Sequence, residues 1–289
     1  MYFDEDLVLD VRLNTLNEFV DYFIIVESKF THNGQKRNLN FKIENYNKFK
    51  DKILYFVYDK VPNNIETINE DDSSHKKNTK YIINAAKREN SQRNHIIEGL
   101  KNANDDDLIL VSDVDEIPNL KTIKLNSIKE KIIMFRQQMF YYKFNLKIPN
   151  LVWTGTKGCK KKNFLNPQWL RNIKDKKYSI FRPDIIFSKK KYNNIKFIEN
   201  GGWHFTNIKK AEEIKHKFES YLHHREFDLN PLSTKQIEEI IKNKKAIYNL
   251  NVDKRLNKFD GGVDLEKIEI KDLPSYINEN IDKYGEWLD

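Results

Sequence analysis

The stretch 105-DDDLILVSDVDEIPNL-120 decides how the rest of the chain is read. Leu108, Ile109, Leu110 and Val111 make an aliphatic run of strand length, and Asp113, Asp115 and Glu116 follow within four residues before Pro118. In an open α/β sheet a ligand sits beyond the carboxyl ends of the strands, so this order delivers the acidic turn to the functional edge. Two aspartates one residue apart can aim oxygens at one divalent cation, and hard oxygen ligands suit Mg2+ or Mn2+, which also bridge substrate phosphates. Without a cation the clustered like charges would raise one another's pKa values. An Asp-x-Asp tripeptide alone also occurs in solvated turns; the aliphatic run before it favours the strand-end site.

Upstream, 5-EDLVLDVRLNTLNEFV-20 places Leu9, Leu13, Leu16 and Val20 at helical spacing. Two β-branched and aromatic runs, 22-YFIIVES-28 and 53-ILYFVY-58, have the form of strands buried on both faces, as in a parallel sheet. The polar stretch 62–80 reads as a surface loop, and a helix is expected over 81–101 with Ile82, Ala85, Ala86, Ile96, Ile97 and Leu100 on its apolar face. Strand, helix, strand in this order argues for a mostly parallel sheet flanked by helices. Downstream, short strands are expected over 132–135, 140–144, 185–187 and 196–198. The stretches 208–227 and 233–250 read as helices, the second opened by a Ser or Thr N-cap. The expected division is a catalytic domain over 1–228 and a helical extension over 229–289.

A second landmark is 198-IENGGWHFT-206. Gly201 and Gly202 permit positive φ or close backbone approach, Trp203 offers a packing plane, and His204 an imidazole able to ligate a cation.

Hydrophobic residues at 39% and charged residues at 33% fit a folded globular chain and exclude disorder over most of its length. Basic residues exceed acidic ones by eight, with runs at Lys160 to Lys162 and Lys189 to Lys191; such runs are solvated faces or patches that attract an anion, whether nucleic acid, anionic lipid or a nucleotide diphosphate. Cys159 is the single cysteine, which excludes a disulfide framework within the chain and suits a reducing, cytoplasmic type of compartment. No signal peptide or transmembrane anchor is seen, and the Lys, Asn and Ile enrichment suggests an AT-rich viral or bacterial genome.

In order along the chain, 9-LDVRLNTLNEFVDYFIIVES-28, 31-THNGQK-36, 88-RENSQRNHIIEGL-100, 105-DDDLILVSDVDEIP-118 and 200-NGGWHFT-206 resemble glycosyltransferase family 17 over roughly residues 4–228. This is the family of the transferase that adds bisecting GlcNAc to N-glycans. The resemblance implies a GT-A type, Rossmann-like α/β fold and inverting transfer from a UDP-sugar, typically UDP-GlcNAc, to a glycan or other hydroxyl acceptor. It implies Asp113 and Asp115 as the Mn2+ or Mg2+ motif. His204, read from its own position beside the glycine pair, is expected to complete the coordination shell. Animal members carry a membrane anchor that this chain lacks, so the donor class is expected to carry over better than the acceptor.

Within that frame, inversion needs a carboxylate base opposite the leaving group. Glu199 is the first candidate, with Asp184 and Glu116 in reserve. Glu27 and Ser28 end the first strand, where the fold would meet the nucleotide, and Arg93 on the following helix could approach the same edge. Lys157 and Arg171 could neutralise a diphosphate, and Trp153, Tyr141 and Tyr142 could pack on a sugar. Two other functions are weighed. A Mg2+-dependent phosphatase of the haloacid dehalogenase type would use Asp113 as nucleophile. A nucleic-acid-binding protein would use the lysine runs, but no zinc spacing, basic heptad helix or RNA-binding aromatic signature supports one, and no nucleic-acid partner is expected.

Overall fold

The computed structural model describes residues 1–121, 123–179, 181–185, 187–222, 224–248 and 262–289. The first helix, α1 (Asp6–Leu16), buries Val8, Leu9, Val11, Leu13 and Leu16. Val20 falls beyond its end, where the backbone N–H groups of Phe19 and Val20 turn back to the Leu16 carbonyl. Strands β1 (Phe23–Ser28) and β2 (Ile53–Tyr58) pair in parallel, with Phe23 opposite Ile53 and Ser28 opposite Tyr58, as the two apolar runs lead one to expect.

Helix α2 (Ser74–Asn94) starts seven residues earlier than expected, because the Ser73 side chain caps it by accepting from the Lys76 N–H. Its buried residues include Asn84, Ala85, Gln92 and Arg93, whereas Ile82 and Ile97, expected on the apolar face, are exposed. The helix turns a polar face inward, and that face meets the candidate site described below.

Strand β3 (Leu108–Val111) does not extend the β1–β2 pair. It lies antiparallel to β6 (Leu146–Lys160), with Val111 opposite Lys157, in a larger sheet ordered β3, β6, β5 (Ile132–Tyr141), β8 (Gly202–Thr206), β4 (Glu116–Pro118). Strand β7 (Ile195–Ile198) lies parallel to the first half of β5, and β8 parallel to its second half. The β3–β6, β5–β6 and β4–β8 pairings are antiparallel. The expectation of a mostly parallel sheet is therefore corrected to a mixed sheet in a mixed α/β fold. The cause is β6, which Pro149 and Asn150 disguise in the sequence; four residues join it to β5, which suffices for an antiparallel hairpin and is too short for a parallel crossover. The two strands expected over 132–135 and 140–144 are one bulged strand. The strand expected over 185–187 lies partly outside the described residues; Pro183–Ile185 forms a 3-10 turn.

Six further helices follow among the described residues: α3 (Pro167–Asn172), α4 (Ala211–Ser220), α5 (His224–Leu229), α6 (Thr234–Lys242), α7 (Ser275–Glu279) and α8 (Ile281–Tyr284). Ser233 caps α6 reciprocally with Gln236, the expected N-cap; residues 249 and 250 of the expected helix lie outside the described residues.

Three apolar clusters hold these elements. The first joins Leu13 and Leu16 of α1 to Phe135, Phe140 and Phe205 of the large sheet and to Leu273, Ile277 and Tyr284 near the C-terminus. The second packs Ile214, Phe218, Phe227 and Ile237 of α4 to α6 on Met139 and Tyr141. The third sets Trp169 and Leu170 of α3 against Val111, Met134 and Cys159. Each such side chain is worth about 1.5–3 kcal/mol of burial. Burial pushes the Cys159 thiol up to about 12, so it is an inert packing residue.

Candidate active site

The acidic turn after β3 is closed from both sides. The Glu116 N–H donates to the Asp113 carbonyl (3.1 Å), and the Asp113 N–H donates to Glu116 Oε2 (2.9 Å). Arg12 of α1 donates to the carbonyls of Asp113 and Glu116, so the first helix fixes the turn.

Both oxygens of Asp113 are engaged by guanidinium groups, Oδ1 with Arg93 Nη2 (3.1 Å) and Oδ2 with Arg171 Nη2 (2.9 Å). Arg171 also forks onto Glu116, at 2.6 Å to Oε2 and 2.9 Å to Oε1, and Trp153 Nε1 donates to Oε1 (2.8 Å). Burial opposes ionisation of Asp113, and Arg171 with Arg93 overrides it, holding the carboxyl well below its usual range. Glu116 is inaccessible and Arg171 and Arg93 are largely buried, while the Asp113 side chain is 31% exposed at the cleft, so the network is a paired charge cluster, buried except where Asp113 meets the cleft. Gly155 makes room for it: a Cβ there would collide with Gln137 Oε1 and crowd the Glu116 carboxyl. Lys157 Nζ donates to the carbonyls of Arg171 (2.7 Å) and Ile173 (2.6 Å), tying down the end of α3 that delivers Arg171.

Asp115 faces the other way. Antiparallel pairing sets Glu116 opposite His204 on β8, and Phe205 N–H donates to the Asp115 carbonyl (2.8 Å). Asp115 Oδ2 then lies 3.4 Å from His204 Nε2. Burial works to raise the Asp115 carboxyl, but His204 outweighs it and lowers it; conversely burial works to lower His204, and Asp115 outweighs it and raises it. Gly202 allows β8 to start here: its φ is +123°, and a Cβ would meet the Ile117 carbonyl oxygen. The Trp153 ring leans on the His204 imidazole at 5.3 Å.

Asp113, Asp115, Trp153 and His204 line a cleft of about 310 Å³, shared with Glu5, Thr31, His32, Glu89, Gln92 and Lys217. Of the other residues singled out in the sequence, Glu116 and Arg93 stand behind this wall, and Lys157 is spent on backbone carbonyls. Glu27 is buried and its carboxylate is occupied by Arg37, the Asn40 and Phe41 N–H groups and the Tyr55 hydroxyl, so it fastens the 37–41 segment. Ser28 accepts from the Phe30 N–H and lines a small pocket beside the cleft with His32 and Gln92. Glu199 sits at the surface paired with Arg136 (2.8 Å), and Asp184 at the surface with Arg182 and Lys191; neither lines the cleft. Tyr141 and Tyr142 are core residues.

Lys217, Glu5, Glu89 and Gln92 were not singled out. Glu89 and Gln92 fall in 88-RENSQRNHIIEGL-100, one of the stretches that carry the family resemblance, which was the available signal. Nothing local marks Lys217, which reaches the cleft only because α4 packs on the sheet.

Among the described residues no group of three or more His, Cys, Asp or Glu is arranged as a metal cage. Asp115 and His204 nevertheless fit a hard cation as a pair. Their donor atoms are 3.4 Å apart on the cleft wall, and Mg2+ or Mn2+ on a nucleotide usually takes few protein ligands, with phosphate oxygens and water filling the rest. Asp113 does not complete that set while both its oxygens face arginines. The same engagement leaves Asp113 ill placed as a phosphatase nucleophile.

The sequence profile of glycosyltransferase family 17 matches residues 1–288. The chain belongs to this family. No curated protein and no solved structure matches it. Membership of glycosyltransferase family 17 makes the chain a transferase of the glycosyl class, one that would bind a sugar donor and an acceptor, and the match runs beyond the 4–228 stretch that carries the motifs. Among the described residues no helix is long and apolar enough to cross a membrane.

Proposed function

We propose that this family 17 chain transfers a sugar, GlcNAc in the first instance, from a UDP-sugar to a glycan or other hydroxyl acceptor, with inversion and with Mn2+ or Mg2+. The reading includes a GT-A-like arrangement, supported by the parallel β1–β2 pair and the Asp-x-Asp turn following β3. The observation that carries it is the Asp115–His204 pair, 3.4 Å apart on the wall of the 310 Å³ cleft.

Asp115 and His204 would hold the cation, which when bound neutralises charge developing on the departing diphosphate. Lys217 lines both this cleft and the adjoining 190 Å³ pocket; it makes no salt bridge among the described residues, and its charge helps to lower the Asp115 carboxyl. It is the ammonium placed to meet the same diphosphate, a role for which Lys157 and Arg93 are already committed elsewhere. Asp113, immobilised by Arg93 and Arg171, is a fixed acceptor for donor hydroxyls. Trp153 offers a ring face for a pyranose.

Inversion requires a base for the acceptor hydroxyl. Asp113, Glu89 and Glu116 are tied to arginines and Asp115 to His204. Glu5, which borders both the cleft and the adjoining pocket, accepts the Phe3 and Asp4 N–H groups through Oε2 and leaves Oε1 uncommitted among the described residues. We therefore assign the proton to Glu5.

Calorimetry of UDP binding with and without MnCl2, on the wild type and Asp115→Asn, tests the reading. Metal-dependent binding that falls at least about tenfold in the variant supports it. Binding indifferent to both metal and substitution contradicts it.

A further inference from the structure

Two basic runs stand out in the sequence, and the fold treats them differently. Lys160 and Lys162 are drawn onto Asp106, at 3.0 and 2.8 Å. The second run belongs to an excursion between α3 and β7. Its ends are tied together: the Lys174 N–H donates to the Lys190 carbonyl (2.9 Å), Tyr178 N–H to the Tyr192 carbonyl (3.1 Å), and Trp169 Nε1 to the Lys189 carbonyl (2.7 Å). Residues 174–192 carry seven lysines and arginines against Asp175 and Asp184, so five of the chain's eight net positive charges sit here. Asp184 is already paired with Arg182 and Lys191, and Asp175 faces Arg136. Lys174, Lys176, Lys177, Lys189 and Lys190 have no acidic partner among the described residues.

Beyond this cationic base the chain presents Phe181 and Phe187, each 88% exposed, the two most exposed large apolar side chains among the described residues. A phenylalanine left bare in water is unfavourable relative to one in an apolar surrounding. In the same stretch three cations gather round the Tyr178 ring: Arg182 at 5.5 Å, Lys176 and Lys191 at 5.8 Å. Exposed apolar rings and unpaired cations within one tied excursion match a surface that is itself apolar inside and anionic outside.

We infer that residues 174–192 dock this chain on an anionic lipid bilayer. The two phenylalanines enter the headgroup boundary and the lysines meet lipid phosphates and carboxylates. Nucleic acid would satisfy the lysines but would leave the exposed rings without a hydrocarbon phase. The inference is independent of the donor and the metal.

Co-sedimentation of the full chain with vesicles of phosphatidylcholine plus phosphatidylserine, and of phosphatidylcholine alone, tests it. Binding to the anionic vesicles only, weakened by salt and reduced at least about tenfold in the double variant Phe181→Ser, Phe187→Ser at an unchanged Tm, is the expected result. Equal binding by that variant, or no preference for anionic vesicles, overturns it. So does tighter binding to a single-stranded polynucleotide than to the vesicles. A solution dimer that dissociates on the double substitution would assign the patch to a second copy instead, and would also overturn it.

Discussion

Arg171 is the residue on which the acidic turn depends, since one guanidinium spans Asp113 and Glu116 at 2.6 to 2.9 Å. Removing one member of a buried charge cluster strands the others, so Arg171→Met should destabilise the fold by roughly 3–5 kcal/mol, read from denaturant unfolding. A loss under about 1 kcal/mol would mean the cluster is solvated. The same cluster sets an acid limit. Asp113 is held below its ordinary value of 3.8, so its contribution is present above that value and is lost as pH falls through and below it. Plotted as Tm against pH, the wild type should fall more steeply below about pH 4 than Asp113→Asn. Lys217 makes a prediction of another kind. Lys217→Met should weaken UDP about tenfold while leaving uridine affinity and Tm unchanged, and Lys217→Arg should restore part of the loss. An equal effect on uridine would assign the lysine a structural part instead. At this scale the sequence was informative where chemistry is local: Asp113, Asp115 and His204 all reach the cleft. Arg171, Trp153 and Glu116 act as partners of one another across 55 and 37 residues, a relation that only the folded sheet creates.

Among elements, β1, β2, β3 and β7 were legible because apolar runs of strand length have few other uses. Strand β6 was not. It contains Pro149, Asn150 at φ +58°, Gly155 and Gly158, all of which read as breakers, and it is the longest strand of the described residues. Strand β5 looked like two strands because Arg136, Gln137 and Gln138 interrupt its apolar run. Gln137 is nevertheless fully buried, accepting from the Thr156 N–H (3.0 Å) and donating to the Trp203 carbonyl (3.2 Å), so tertiary bonds replace the hydrophobic signal. The β5–β6 hairpin presents Trp153 to Glu116 and Lys157 to the end of α3, and Gly155 lies between them. Gly155→Ala should therefore push Glu116 and Gln137 apart, costing about 1–3 kcal/mol in Tm-derived stability and lowering UDP affinity with it. An alanine variant as stable as the wild type would mean the hairpin can shift away from Glu116.

At the scale of the whole molecule, the cleft is assembled from segments distant in sequence: the entry to α1, the inward polar face of α2, the turn after β3, the middle of β6, β8 and the end of α4. The C-terminal residues close back on the first helix, with Lys283 and Tyr284 both bonded to Asp10 and the Phe144 N–H to the Trp287 carbonyl. This explains why the family's motifs lie scattered between residues 9 and 206 while the profile runs to 288. It also explains why a strand-by-strand reading placed the acidic turn at a strand end but gave the wrong sense for most of the sheet. An antiparallel hairpin can bring an acidic turn to a cleft as well as a parallel crossover can. The most direct measurement is anomalous scattering from a crystal soaked with MnCl2 and UDP. A manganese peak shared by the Asp115 carboxylate, His204 Nε2 and the diphosphate, with Asp113 still on its two arginines, is the expected result. Manganese or nucleotide lodged away from Asp115 and His204 would contradict the account.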